Sequence, residues 1–179
     1  MSASETETLL LVSPDIFHRR EYTDMMEEWL QDGDPIIPSA LVSGSLTYDE
    51  WLSRERKFES GDTCPRGMVP CNLYFLTRAS DGKIVGAASI RWRLNKELLH
   101  NGGHIGYGIR PSERGKGYGT RQLQLILDKC RERKMERILI TCLEDNLASQ
   151  KIILQNGGVL ENTATTSQGK TVCRYWVEL

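Results

Sequence analysis

The residues from His104 to Thr120, HIGYGIRPSERGKGYGT, combine types and spacing that can do chemistry. Glycines at 115, 117 and 119 alternate with Lys116 and Tyr118, directly after Arg114. Glycine lets a backbone approach a ligand closely and turn its N–H groups toward it. Leu123, Ile126, Leu127 and Cys130 recur at helical spacing and predict a helix from about Gly117 to Lys134. The loop therefore opens onto a helix start, whose unpaired N–H groups and positive dipole end favour an anion. Arg114 and Lys116 add formal charge. The segment reads as a site for phosphate or pyrophosphate, the plainer use being a tight strand-to-helix connection that binds nothing. A Walker A loop is excluded, because Lys116 lies between glycines and no Ser or Thr follows it. A dinucleotide fingerprint fails too, since Thr120 stands where its third glycine is needed.

Other elements must position this segment. Leu9–Val12 is a short apolar strand, closed by Ser13-Pro14-Asp15, a helix-starting cluster. Tyr22, Met25, Met26, Trp29 and Leu30 then mark an amphipathic helix ending near Asp32-Gly33, its apolar residues read as core. Pro35 and Pro38 place an ordered loop over 34–44, and Thr47 with Glu50 predicts a capping box opening a helix over 47–60. Leu73–Thr77 and Ile84–Arg93 flank Asp81-Gly82, a hairpin signal. Arg91 and Arg93 put a basic face on the second of these strands, read as solvated, with an anionic substrate as its other use. His104–Arg110 follows as a strand ended by Pro111, which cannot donate to a ladder. Arg137–Leu143 is a continuous apolar run suited to a strand buried on both faces. Asn146–Gln155 reads as a short helix stopped by Asn156-Gly157-Gly158, and Gln168-Gly169 turns a final hairpin. The order β-α-α-β-β-β-α-β-α-β-β describes one mixed α/β domain spanning 1–179.

With 179 residues, one self-sufficient core is expected. Twenty-three Lys and Arg against 24 Asp and Glu leave a formal charge of −1, which gives no general attraction to nucleic acid or to an anionic membrane. No apolar run approaches the ~20 residues of a membrane span. Met1–Thr8 is acidic and lacks the order of a secretory signal. The five cysteines and three histidines never fall at metal-ligand spacing, so no metal is expected, and scattered cysteines suit reduced thiols in the cytoplasm.

Arg114-Gly115-Lys116-Gly117-Tyr118-Gly119 matches the (Gln/Arg)-x-x-Gly-x-(Gly/Ala) signature, and the chain resembles the GNAT superfamily of acetyl-CoA-dependent N-acetyltransferases. Asn146 and Ser149, with Gly157 closing the next helix, resemble that family's second motif. The likeness is strong over 104–158, and the element order extends it across nearly the whole chain. It implies a mostly antiparallel sheet split between two central strands and flanked by helices. It also implies acetyl-CoA as cosubstrate, and direct transfer to a primary amine of a small molecule or peptide by a monomer or homodimer. The rival reading is a non-catalytic acyl-CoA sensor. By resemblance, Tyr107, Gly108 and Ile109 hold the pantetheine arm, Arg114, Gly115, Lys116, Gly117, Tyr118, Gly119 and Thr120 the pyrophosphate, while Asn146 and Ser149 flank the cofactor. The acceptor cleft is expected from residues 30–70 and the final hairpin.

An alkyl amine is mostly protonated at pH 7, and freeing its lone pair costs ~4 kcal/mol, so a base is expected. Where many members of the family place a Tyr acid this chain has Ile153, and where some place a Glu base it has Thr141. Others put the Glu at the strand start, where this chain has Gly103-His104. His104 is the candidate base, its other use being a structurally bonded strand-start histidine, and Glu144 is the second candidate.

Overall fold

The computed structural model describes residues 7–179; most of the acidic N-terminal stretch lies outside them. Seven strands form two antiparallel sheets. β1 (Leu9–Val12), β2 (Cys71–Arg78), β3 (Ile84–Arg91) and β4 (Ile105–Ile109) lie in that order in the first sheet. β5 (Arg137–Leu143), β6 (Val159–Thr165) and β7 (Thr171–Glu178) form the second, in the order β5-β7-β6. The helices are α1 (Arg19–Asp32), α2 (Tyr48–Arg56), α3 (Lys96–His100), α4 (Tyr118–Glu132) and α5 (Leu147–Gln155). This is the split mixed α/β fold that the sequence implies, with one added element: α3 begins where the Asn95 side chain accepts the Leu98 N–H.

Alternation along the strands sends side chains to two cores. On one face Leu73, Phe75 and Ala87 pack beneath Tyr22, Met25 and Trp29 of α1 and Trp51 and Leu52 of α2. On the other, Ala88, Ile90 and Ile105 meet Leu123, Ile126 and Leu127 of α4, and the cluster continues through Ile138, Ile140 and Ile153 beneath the second sheet. Thr47 and Glu50 form the expected capping box, although α2 stops at Arg56, short of Ser60. Gly33, at φ 81°, ends α1 in the left-handed conformation that favours glycine.

The backbones of the two sheets are joined by hydrogen bonds where β4 begins. His104 N–H donates to Leu139 O at 2.8 Å, and Leu139 N–H donates to His104 Nδ1 at 2.9 Å. Gly103, buried at φ 62°, allows this junction, because a Cβ there would run into the Leu139 carbonyl. Beyond this point β4 and β5 share no ladder, so the edge of β4 is open.

Candidate active site

The register of β3 with β4 decides which backbone groups face the gap. Arg91 N–H donates to His104 O and Arg110 N–H to Val85 O, which turns the even-numbered residues of β4 toward β3. The N–H and C=O groups of Ile105, Tyr107 and Ile109 therefore point into the split. Gly108 is filled from the α1 side: a Cβ there would run into Ile37 O and lie 3.1 Å from the Trp29 ring. Gly106 likewise meets Pro38, 3.5 Å from where its Cβ would stand. The space beside His104 that these glycines suggest from sequence is thus occupied by the 36–38 loop.

Across the gap, the Tyr107 hydroxyl lies 2.9 Å from Ser149 Oγ. Ser149 is held by its own N–H, which donates to Asn146 Oδ1 at 3.0 Å, the N-cap of α5. Burial pushes the Tyr107 phenol up to about 12, so it stays protonated at neutral pH. Asn146 thus shapes the wall that Ser149 presents.

At the far end of β4 the chain enters the glycine loop. Gly115 and Gly117 adopt φ 77° and 79°, and no atom lies within 4 Å of where a Cβ would stand, so conformation is what these positions require. Gly119 serves contact instead: a Cβ would meet Ile152 Cδ1 at 2.7 Å, so glycine lets α4 and α5 close together. Thr120 ties the same two helices through Gln155 Oε1 at 3.0 Å. The Tyr118 ring packs against the Leu9, Leu76 and Val85 cluster. Among the described residues, the backbone N–H groups of 115–120 find no protein acceptor. Six consecutive donors at a helix start form an anion cradle.

The charges around this cradle are arranged differently from the sequence expectation. Arg114 Nη1 is paired with Asp34 at 2.8 Å and Asp32 at 3.0 Å, and Lys116 Nζ with Glu113 at 2.8 Å. Glu113 is buried and also takes Lys83 at 2.8 Å and Arg78 at 3.1 Å. Burial alone would raise its pKa, but hydrogen bonds from Lys116 and Lys83 prevail and hold it at about 2. Arg110, also buried, donates from Nε to Glu28 at 2.6 Å and from Nη1 to Glu21 at 3.3 Å, fastening the base of the loop to α1. Sequence spacing carried no sign of these pairs, whose partners stand 30 or more residues apart except for Glu113 and Lys116.

The candidate bases fare poorly. His104 is 8% exposed, and Leu139 N–H occupies its Nδ1, which fixes the proton on Nε2. Burial pushes its pKa down to about 4. Such a ring has no free lone pair for a substrate proton, so its role in the structure is to join the sheets. Glu144 lies exposed at the end of β5, where its backbone bonds Thr171 and Gln150 and its carboxylate meets no described residue. Thr141 Oγ1 accepts the Gly102 N–H at 3.1 Å, and Ile153 is fully buried in the core.

On the α1 and α2 side lies a cavity of about 530 Å³. Ala40, Val42, Phe58, Met68 and Val69 give it apolar walls; Ser89 and Arg91 floor it, and Glu97 and Leu98 of α3 close one end. Residues between 39 and 69 supply much of this wall. The final hairpin does not reach it; it braces α3 from behind, with Arg174 Nη2 donating to Leu99 O at 3.0 Å.

A split beside an N–H cradle calls for a long ligand with an anionic end, and the sequence comparison decides what kind of protein this is. The model of the acetyltransferase (GNAT) family matches residues 23–157. The chain belongs to this family. Its members take an acetyl group from acetyl-CoA, and the open β4 edge and the cradle fit that cosubstrate. An acetyltransferase of Salmonella typhimurium that modifies the N-terminal serine of ribosomal protein L7/L12 shares the fold, with a TM-score of 0.70 and 17% identity, over 97% of this chain and 96% of that one. The microcin C7 self-immunity acetyltransferase MccE, solved with acetyl-CoA and AMP, gives 0.69 and 18%, over 97% and 94%. The spermidine/spermine N-acetyltransferase SpeG of Vibrio cholerae gives 0.63 and 13%, over 96% and 95%. No curated protein matches the sequence significantly. Among the described residues, no helix is long and apolar enough to cross a membrane and no group of His, Cys, Asp or Glu suits a metal.

Proposed function

We propose that this GNAT acetyltransferase moves the acetyl group of acetyl-CoA to a primary amine of a small molecule or peptide by direct transfer. The observation that carries the reading is the continuity of the β4 edge, open at Tyr107 and at the Ile109 N–H while Ile109 O accepts Arg114 Nε, with the unpaired N–H groups of 115–120. The pyrophosphate is assigned to that cradle, and the pantetheine arm to the edge of β4. Acetyl-CoA supplies the thioester carbonyl: the amine nitrogen bonds to it, the C–S bond breaks, and the sulfur leaves with its electron pair.

The chain's own groups supply position and protons. Tyr107, held by Ser149 and kept protonated by burial, is the donor assigned to the departing sulfur in place of an α5 tyrosine. With His104 locked in its junction, the amine proton is assigned to water in the cavity. Much of the acceleration then comes from holding amine and carbonyl together. The cavity on the α1 and α2 side is assigned to the acceptor because Ser89 in its lining pairs with Gly106 of β4, the strand whose other edge faces the split.

Free thiol released from acetyl-CoA, measured across a panel of amines, tests the proposal. The expected result is amine-dependent thiol release matched mole for mole by N-acetylated product. Tight coenzyme A binding with no turnover on a broad panel would instead establish the sensor reading.

A further inference from the structure

Most charged groups around the acceptor cavity are already satisfied. Glu55 is paired with Arg54, Nε to Oε1 at 2.9 Å, and Arg54 Nη2 also donates to Val42 O at 2.9 Å. Glu97 is exposed on the first turn of α3. Arg91 stands apart. Among the described residues it makes no salt bridge, and only its Nη1 is used, donating to Gly103 O at 3.1 Å and Gly102 O at 3.3 Å. Its Nε and Nη2 have no protein acceptor, while burial pulls its pKa down. Arg91 is half-buried and has no counter-ion, and a clip on the 102–103 turn needs only one of its nitrogens, which leaves the others open to an anion from solvent. The remaining edge matches the two oxygens of a carboxylate.

Its place in the sheet gives this edge a purpose. Arg91 N–H donates to His104 O, so the side chain rises from the floor where β4 begins to part from β5. Ser89, two residues earlier on the same face, pairs with Gly106 beside the edge assigned to the pantetheine arm. Two strand residues span ~7 Å, which one small molecule covers. We infer that the acceptor is a small amine that also carries a carboxylate, an amino acid in the broad sense, and that Arg91 takes the carboxylate. The inference rests on the acetyltransferase reading for the amine, and on Arg91 alone for the anion. A single guanidinium with one open edge suits one carboxylate, whereas a peptide N-terminus offers a neutral amide at that place.

The test pairs amino acids with their amides: L-methionine, L-phenylalanine and γ-aminobutyrate, each against its own amide. Initial rates are measured with saturating acetyl-CoA, and binding by calorimetry with saturating coenzyme A. At least one acid is expected to show a KM or Kd ten-fold or more below that of its amide. Arg91→Gln should erase this preference by raising the acid's value and leaving the amide's unchanged. Equal or better use of every amide by the wild type would overturn the inference and point to peptide N-termini, with acetyl transfer intact. Loss of acid and amide alike in a folded Arg91→Gln variant would overturn it as well. If that variant does not fold, the wild-type acid-to-amide ratio decides alone. If coenzyme A binds and no amine is acetylated, the transfer reading has failed, and the calorimetric ratio still decides the role of Arg91.

Discussion

The proposed cofactor side and the proposed acceptor side of this molecule are built on opposite plans. The cofactor side is one stretch of chain, from the β4 edge at Ile105–Ile109 through the turn to the N–H groups of 115–120, and its donors are backbone. The acceptor side is assembled by side chains from the 39–42 loop, α2, the 67–71 segment, β3 and α3. A backbone cradle is specified locally, by glycines at fixed spacing and a helix start. A cavity formed by five separate segments is specified by packing, and its chemistry depends on which charges happen to find partners inside the protein. The proposed cofactor plan therefore depends on few side chains, whereas single substitutions can redirect the acceptor plan.

The open edge belongs to β4, and Ser89 of the cavity pairs with Gly106 of the same strand, so the largest disruption is expected there. Gly108→Val would force a side chain into the Ile37 carbonyl of the 36–38 loop and the Trp29 ring, which is buried in the α1 core. A loss of about 3 kcal/mol or more in denaturant unfolding is expected, with coenzyme A binding and acceptor binding falling together. A stable Gly108→Val protein that loses only one of the two would break the claim that β4 serves both sides.

Removing the Tyr107 hydroxyl sharpens the contrast, since it should touch chemistry alone. Tyr107→Phe is expected to lower kcat by roughly 10²-fold, with coenzyme A affinity within a few-fold of the wild type. An unchanged kcat would remove Tyr107 from the proton path.

His104 tests the junction between the sheets. In His104→Ala the Leu139 N–H loses its buried acceptor, at a cost of about 1–3 kcal/mol in stability, with no loss of a limb near pH 6.5 in the rate profile. The sign of its pH effect follows from the folded pKa of about 4, which lies below the ~6.5 of an unfolded histidine. The unfolded chain takes up the proton first, so the contribution is complete above pH 6.5 and lost as the pH falls toward 4. His104→Asn keeps an acceptor and removes the titration. Wild-type protein should therefore lose about 2–3 kcal/mol relative to it across that window, measured by urea unfolding at successive pH values. Parallel stability profiles would show that His104 titrates normally and return it to the list of bases.

These contrasts also explain what the sequence made legible. β1, β5 and the capping box at Thr47 and Glu50 follow from local apolar runs and caps, and the structure has them where expected. The conformation of the glycine loop was readable because its unpaired N–H groups belong to the residues that signal it. The partners of Arg110, Arg114 and Glu113 were not, because each ion pair joins elements that meet only after folding. The surroundings of His104 were hidden for a related reason: a histidine beside small residues looks open in sequence, while in space Leu139 N–H takes its Nδ1 and the 36–38 loop packs on Gly106 and Gly108. α3 escaped notice because five residues carry too few periods for a pattern. Arg91 stood out as basic, but its lack of a counter-ion is a fact of three dimensions.

The central claim is that backbone donors hold the cofactor while the flanking cations are committed to carboxylates. Calorimetric titration of coenzyme A into wild type, Gly117→Trp and the Arg114→Ala/Lys116→Ala double variant tests it directly. At Gly117 no atom obstructs a side chain, so the tryptophan variant should fold while its φ of 79° and its ring spoil the cradle. The account predicts a loss of about 10²-fold or more for Gly117→Trp, and less than about 10-fold for the double variant, whose charges are already paired with Asp32, Asp34 and Glu113. Undiminished binding by Gly117→Trp, or a larger loss from removing the two cations, would contradict it.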